Sequence, residues 1–364
     1  MAFDIFLVTA PGLEAALAYE AAALGLTVSG TILGGVTVTG GWPEVWRANI
    51  ALRGATRVLA RIAEFRAFHL AQLDKRARKL DWGAVLRPDE PVRVEVTTKR
   101  SKIYHAKAAA QRIERAITEE LGAPVSAEAA VQLKVRIDDN LVTISVDTSG
   151  ESLHKRGHKL FTGKAPMRES MAALMLRACG YSGTEPVVDP MCGSGTFVIE
   201  AAEMAAGLLP GRDRAFAFER LATFDPGVVA ALRGAPVRET ALRFYGSDRD
   251  QGAIAGATEN AGRAGVAELI QFTRAPVSDL RRPDGPPGLV MINPPYGGRI
   301  GDRKKLFALY GSLGAVLAER FAGWRVGLVT DDGGLAKATG LDLSASEPIA
   351  HGGLKVKLYQ AGPL

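Results

Sequence analysis

The chain has 364 residues, 47% of them hydrophobic and 23% charged, an ordinary balance for a folded globular protein with room for two or three domains. Its net charge of +6 is unevenly placed: residues 1–168 hold 24 Lys and Arg against 18 Asp and Glu, whereas residues 169–364 hold 21 of each. Two cysteines exclude a disulfide framework, the start carries no basic-then-apolar signal, and no run of about 18 apolar residues offers a membrane span, so a cytoplasmic protein is expected.

In chain order, residues 3–9 alternate toward a strand, and Pro11 opens a helix over 11–24 that closes at Gly25. Residues 28–33 and 36–39 flank the hairpin signal Gly34-Gly35, 43–52 read as a helix and 57–65 as a strand. The order βαββαβ is ferredoxin-like and defines a first domain over 1–65. A second unit over 66–150 follows, with helices at 69–80 and 105–121, the latter ended by Gly122 and Pro124. Its strands fall at 91–98, 132–137 and 141–147, the last two joined by an Asp-Asn turn. One basic group holds Lys75, Arg76, Arg78 and Lys79; the other holds Lys99, Arg100, Lys102, Lys107, Arg112 and Arg115, with Tyr104 and His105 among them. Cations around a strand-to-helix turn, beside the free amides of a helix start, suit phosphate, although a solvated helix face accounts for any one of them equally well. A basic connector over 151–166, with His154, Lys155, Arg156, His158, Lys159 and Lys164, is expected to cross between domains, its histidines facing solvent or RNA.

From residue 167 to 364 strands alternate with helices. Strands are expected at 185–189, 242–247, 269–274, 288–292 and 324–330, helices at 168–179, 196–206, 250–264 and 303–320, and a terminal hairpin (347–351 and 354–359) around Gly352-Gly353. The fold class is α/β: a doubly wound, Rossmann-like sheet preceded by smaller α+β modules.

The strand ends carry the chemistry. The first strand of this sheet runs into Asp189-Pro190-Met191-Cys192-Gly193-Ser194-Gly195-Thr196 and a helix follows at once. The glycines permit a tight turn and a close ligand, and the helix start offers amides to an anion. No Gly-Lys-Ser/Thr follows, and the spacing is not G-x-G-x-x-G. An acidic residue before the glycines can face an ammonium group, which favours an amino-acid-bearing cofactor such as S-adenosylmethionine. The second strand ends in Asp248, placed to accept from ribose hydroxyls, and Arg249 can pack on adenine. Asp279 follows the third strand and is placed for the adenine amine. Each carboxylate alone is equally a solvated loop residue or a helix cap. Cys192 reads as a small residue in a tight turn rather than a thiolate nucleophile, and no Cys/His spacing suggests a metal.

The fourth strand ends in Asn293-Pro294-Pro295-Tyr296. Two prolines cannot continue a ladder, so the chain leaves the sheet in a stiff turn at the edge where α/β proteins bind ligands. Its carbonyls and amide can hold an exocyclic amine while the tyrosine stacks on a flat base; an incidental Pro-Pro loop is the plain alternative.

The loop motif, Tyr245-Gly246-Ser247-Asp248 and Asn293-Pro294-Pro295-Tyr296-Gly297 together resemble the THUMP-domain RNA guanine-N2 methyltransferases, and among them the RlmL-type bacterial 23S rRNA enzymes. The likeness extends to Pro11-Gly12-Leu13-Glu14, Gly34-Gly35-Val36, Asp147-Thr148-Ser149-Gly150, Leu153-His154-Lys155-Arg156-Gly157 and Ala165-Pro166-Met167-Arg168-Glu169. It implies a ferredoxin-like and a THUMP part that hold RNA through residues such as Lys99, Arg100, Lys102, Lys107, Arg112, Lys155 and Arg156, ahead of a class I methyltransferase domain. It further implies that Asp189, Met191, Gly193, Gly195 and Thr196 line the methionine and ribose side of S-adenosylmethionine, with Asp248 on the ribose and Asp279 on the adenine. Asn293, Pro294 and Tyr296 would hold the target base, Asn293 would also touch the cofactor, and Met167 and Glu169 would close over it. Some RlmL-type proteins carry a second methyltransferase domain; the sequence here holds one, so only the N2 reaction is implied. The expected partner is structured ribosomal RNA, 23S or an assembly intermediate, met by a monomer without metal. The rivals are a tRNA guanine-N2 enzyme of the same build, an N6-adenine methyltransferase and a non-catalytic assembly factor.

Overall fold

The computed structural model describes residues 2–163, 166–296 and 303–364. The first part of the chain forms β1 (Phe3–Val8), α1 (Glu14–Ala23), β2 (Thr27–Ile32), β3 (Gly35–Gly40), α2 (Trp42–Ala51) and β4 (Arg57–Arg66). Next come α3 (Leu70–Ala77), β5 (Val92–Lys99), α4 (Ala106–Leu121), β6 (Val131–Asp138) and β7 (Leu141–Asp147). Local chemistry sets these boundaries. Asp139 and Asn140 turn β6 into β7 with φ of 49° and 61°, the left-handed pair a two-residue hairpin needs. Gly122 ends α4 at φ 83°.

The strands join in the order β2-β3-β1-β4-β7-β6-β5, so the sheet of the expected second unit continues that of the ferredoxin-like part rather than standing apart. The seam is the antiparallel pair β4–β7, which starts at Leu59 opposite Asp147. The amide nitrogen of Asn49 donates to the Thr148 hydroxyl (2.9 Å), and its oxygen accepts from Ser149 (2.7 Å), which fastens α2 to the end of β7.

The second part forms α5 (Glu169–Ala178), β8 (Val187–Asp189), α6 (Thr196–Ala205), α7 (Pro226–Arg233), β9 (Phe244–Asp248), α8 (Gln251–Ala264) and β10 (Ile270–Arg274). It continues with β11 (Leu289–Ile292), α9 (Arg303–Arg320), β12 (Arg325–Thr330), α10 (Gly333–Ala338), β13 (Ser344–Ala345), β14 (Ile349–His351) and β15 (Leu354–Ala361). Their sheet runs β10-β9-β8-β11-β12-β15-β13, with β14 paired to β15. It is parallel from β10 to β12, and β15 runs antiparallel to β12. All four residues of β11 are 0% exposed, which explains their unbroken apolar run in a strand covered on both faces. Two helices have no counterpart in the sequence reading: α7, capped by Asp225 and opened by Pro226, and the six-residue α10, capped by Asp332. Both are too short to show a period.

The chain forms two compact units that do not follow chain order: Met1–Thr9, Ala18–Leu153 and Gly211–Ala235 in one; Ala10–Leu17, His154–Pro210 and Pro236–Leu364 in the other. Within the second, a Cβ on Gly314 of α9 would lie 1.7 Å from the carbonyl oxygen of Thr339. Gly314→Ala should therefore destabilise the protein by about 1–3 kcal/mol, read as a drop in thermal midpoint; an unchanged midpoint would show that α9 is free to shift.

Candidate active site at the carboxyl edge of the parallel sheet

The chain passes from β8 outward to β9 and β10, then returns to the other side of β8 for β11 and β12. The reversal falls between β8 and β11, the switch point where open α/β sheets bind ligands. Asp189 ends β8 and Asn293 follows β11, so neighbouring parallel strands deliver both to one edge. A cleft of about 750 Å³ opens there, bordered by Met167, Asp189, Met191, Gly193, Thr196, Asp248, Arg249, Asn293 and Pro295.

The glycine loop has the geometry its sequence implies. Gly193 and Gly195 have φ of 51° and 79°, and Gly195 caps α6. A Cβ on Gly195 would press on Ile199, Ala257 and Phe272 at 3.1–3.2 Å, which makes it a packing residue beneath the loop. The Gly193 amide donates to one oxygen of Asp248 (3.1 Å) and the Asp250 amide to the other (2.9 Å). Each oxygen keeps a further lone pair for a hydroxyl. Asp189 is 2% exposed and accepts from the Met191 amide at 3.1 Å. Burial, reinforced by Asp248, pushes its carboxyl up to about 8. Cys192 is buried and its thiol pushed up, first by burial and then by Asp189 and Asp248, so it is no thiolate.

Several expected residues lie elsewhere. Asp279 is exposed and borders a separate hollow with Arg281, Arg282 and Arg320; Val277 and Ser278 of the same turn border the cleft instead. Arg320 donates to the carbonyls of Ser278 (3.0 Å) and Leu280 (2.9 Å), which holds that turn. Glu169 does not border the cleft. It is buried, its carboxyl raised by burial, with the Lys159 ammonium 3.7 Å away. That ammonium donates to the Met167 carbonyl at 2.5 Å, so Glu169 supports the cleft wall from behind. Of the four-residue turn, Asn293 and Pro295 border the cleft and Pro294 is buried. Tyr296 presents no stacking face: it is 8% exposed, and burial, with Asp331 nearby, pushes its hydroxyl up to about 12. The Tyr310 hydroxyl donates to the Pro295 carbonyl (3.3 Å) and braces the turn from beneath. Gly297, Lys164 and Ala165 lie outside the described residues.

Arg156 also departs from its expected RNA role. Its side chain is 2% exposed and pairs with the fully buried Glu200 of α6 at 3.1 Å. The segment alternates: Lys155 and Gly157 are exposed, Arg156 and His158 buried. His154 is half-buried and held down to about 4, by burial first and by the neighbouring cations. Lys99, Arg100, Lys102 and Lys107 are exposed and Arg112 partly so. Arg100 donates to Asp138 (2.9 Å), and the Lys102 ammonium lies 5.5 Å from the Phe68 ring centre. Arg78 of the first basic group is occupied by Asp74, Glu119 and Glu120.

Sequence reasoning missed Phe161, Thr162, Gly163, Phe197, Leu309 and Ser312, all bordering the cleft. The available signal for the first three was Asn260, a polar residue in the otherwise apolar buried stripe of α8.

A turned glycine loop, a buried carboxylate at the end of β8, a second carboxylate at the end of β9 and an apolar cleft of this volume suit a nucleoside with a cationic tail. With the strand order and antiparallel β15, they define a class I S-adenosylmethionine-dependent methyltransferase. The chain belongs to the RMKL-like methyltransferase-domain family, whose profile matches residues 156–359, and residues 4–59 match the RlmL ferredoxin-like domain. It is 36% identical over 95% of its length to the ribosomal RNA large subunit methyltransferase K/L of Chromohalobacter salexigens, and spans 50% of that relative. It is 31% identical to a putative RNA methyltransferase of Synechocystis, covering 98% of this chain and 95% of the relative. Among solved structures, a possible methylase from Clostridium difficile 630 superposes with a TM-score of 0.91 at 29% identity, covering 100% of this chain and 99% of the other. The putative methyltransferase SMU.472, in complex with S-adenosylhomocysteine (SAH), gives 0.88 at 28% identity, covering 100% and 98%. Among the described residues no helix is long and apolar enough to cross a membrane.

Proposed function

We propose that the protein methylates the exocyclic N2 of a guanine in 23S rRNA. The observation that carries this reading is the Asn293-Pro294-Pro295-Tyr296 turn at the end of central strand β11, with Asn293 on the cofactor cleft. The likeness to the K/L enzyme supports ribosomal RNA as substrate.

S-adenosylmethionine supplies an electrophilic methyl group when bound. The protein's part is to present a weak nucleophile, since the amine lone pair is conjugated into the ring. The amide oxygen of Asn293, which borders the cleft, would accept an amine hydrogen and favour the pyramidal, reactive form. Methyl transfer would release the cofactor as its thioether, and the surplus amine proton would pass to solvent. The sulfonium is already activated, so positioning outweighs a strong base. The base must leave its stack to enter the cleft.

We assign the seven-stranded unit, with its ferredoxin-like and THUMP portions, to RNA. Lys99, Lys102 and Lys107 are its phosphate contacts, with Arg112 beside them, in a reducing cytoplasm. The Lys99→Glu, Lys102→Glu, Lys107→Glu variant should flatten the dependence of log affinity on log salt by about 2 while SAH affinity stays at the wild-type value. An unaltered salt slope would remove these lysines from the interface.

The function is tested by labelled methyl transfer to deproteinised 23S rRNA and to bulk tRNA, followed by digestion to nucleosides. N2-methylguanosine from 23S rRNA is expected. Label confined to tRNA would favour the tRNA enzyme, and N6-methyladenosine would overturn the choice of base.

A further inference from the structure

We infer that Asn260 is a positioning residue for the cofactor: it clamps the strap over residues 160–163 to the glycine loop and so fixes two walls of the cleft at once. Asn260 is 0% exposed, on the face of α8 that buries Ile254, Ala257, Ala261 and Ala264. An amide in such surroundings is costly unless every polar atom is satisfied. Its nitrogen donates to the carbonyls of Phe161 (3.0 Å) and Ser194 (3.1 Å). Its oxygen accepts from the amides of Leu160 and Phe161 (3.2 Å each) and from Arg263 (2.6 Å). The same Arg263 donates to the His158 carbonyl at 2.8 Å, which extends the attachment toward the start of the strap.

The strap has no helix or strand of its own, so α8 supplies the partners that a ladder would otherwise give. One amide therefore ties Phe161, on one side of the cleft, to Ser194, in the glycine loop. A second feature of α8 serves the same contact. A Cβ on Gly256 would lie 2.2 Å from the Phe161 ring, so the helix gives up a side chain where the ring seats. Glycine inside a helix is otherwise unfavourable. Asn260 does not itself border the cleft and acts through Phe161 and Ser194.

Two variants of the full-length protein test this by different routes. Asn260→Ala removes the amide; Gly256→Ala leaves it in place and displaces the ring. Each should weaken SAH binding by at least about tenfold, because each moves Phe161 from its seat on the cleft wall. Each should raise the KM for S-adenosylmethionine in parallel and leave kcat at saturation within about threefold, the signature of lost ground-state binding. Exchange of the Leu160 and Phe161 amides should quicken in Asn260→Ala. A residue that merely stabilised the fold would lower the thermal midpoint without this split between KM and kcat. If both folded variants, or Gly256→Ala alone where Asn260→Ala fails to fold, bind SAH within about twofold of wild type, the clamp is wrong.

Discussion

Replacing Asn293 with alanine should lower turnover by about three orders of magnitude, the scale of losing one well-aimed polar contact in a transition state, while SAH affinity changes little. The expectation follows from position. Asn293 leaves the end of β11 with its backbone fixed on both sides: four residues with no exposed surface precede it, and two prolines follow. Tyr310 holds the Pro295 carbonyl from below. An amide mounted so rigidly is suited to aiming one acceptor at one nitrogen, which is where a reaction dominated by positioning gains most. Asn293→Asp is the sharper companion. It keeps an acceptor oxygen but gives up the amide's donor and adds a charge, so it should retain more activity than alanine and less than wild type. Single-turnover rates with SAH titrations on the same preparations decide the matter. Turnover within about tenfold of wild type in Asn293→Ala would remove Asn293 from the reaction.

Asp189→Asn should abolish measurable cofactor binding and yet stabilise the protein on its own above neutral pH. Both effects come from one buried carboxyl. Burial first, and then Asp248, lifts it to about 8, against about 3.9 in an unfolded chain. Between these values the folded state holds a proton that the unfolded state has released. Stability without cofactor therefore falls as pH rises from about 4 to about 8. Asparagine carries no such linkage, so the variant should match wild type near pH 4 and exceed it at pH 8, each 1 kcal/mol appearing as a few degrees in thermal midpoint. A cationic cofactor reverses the preference, because it favours the ionised carboxylate. Binding to wild type should then release a proton below pH 8, and affinity should strengthen as pH approaches that value. Calorimetry in buffers of different ionisation enthalpy measures the proton directly. Binding without proton release at about pH 6–7, or a variant less stable than wild type at pH 8, would show that Asp189 is ionised before the cofactor arrives.

The placement of these two residues at neighbouring strand ends was legible because local sequence decides it. Asp189 and Asn293 each end a short apolar strand, and glycines or prolines force the chain off the sheet at that point. The Asp139-Asn140 turn was legible for the same reason: the residue types state the backbone angles. What escaped depends on partners distant in sequence. Nothing near β4 announces that β7 will pair with it, so the two N-terminal modules read as separate although they share one sheet. Arg156 read as an RNA contact because its inward turn depends on Glu200 of α6. Asp279 follows β10 at the expected spacing, but Arg320 holds its turn so that Val277 and Ser278 reach the cleft instead. The strap escaped for want of periodicity; its order comes from Asn260 on α8, and only the oddity of an amide in an apolar stripe marked the place.

The claim that the turn after β11 serves a guanine amine of the large ribosomal RNA is met most directly by mass mapping of modified guanines in ribosomal and transfer RNA from cells lacking this protein. One N2-methylguanine should disappear from 23S rRNA, return with the wild-type gene and stay absent with Asn293→Ala. A large-subunit RNA whose N2-methylguanines are all retained would contradict it.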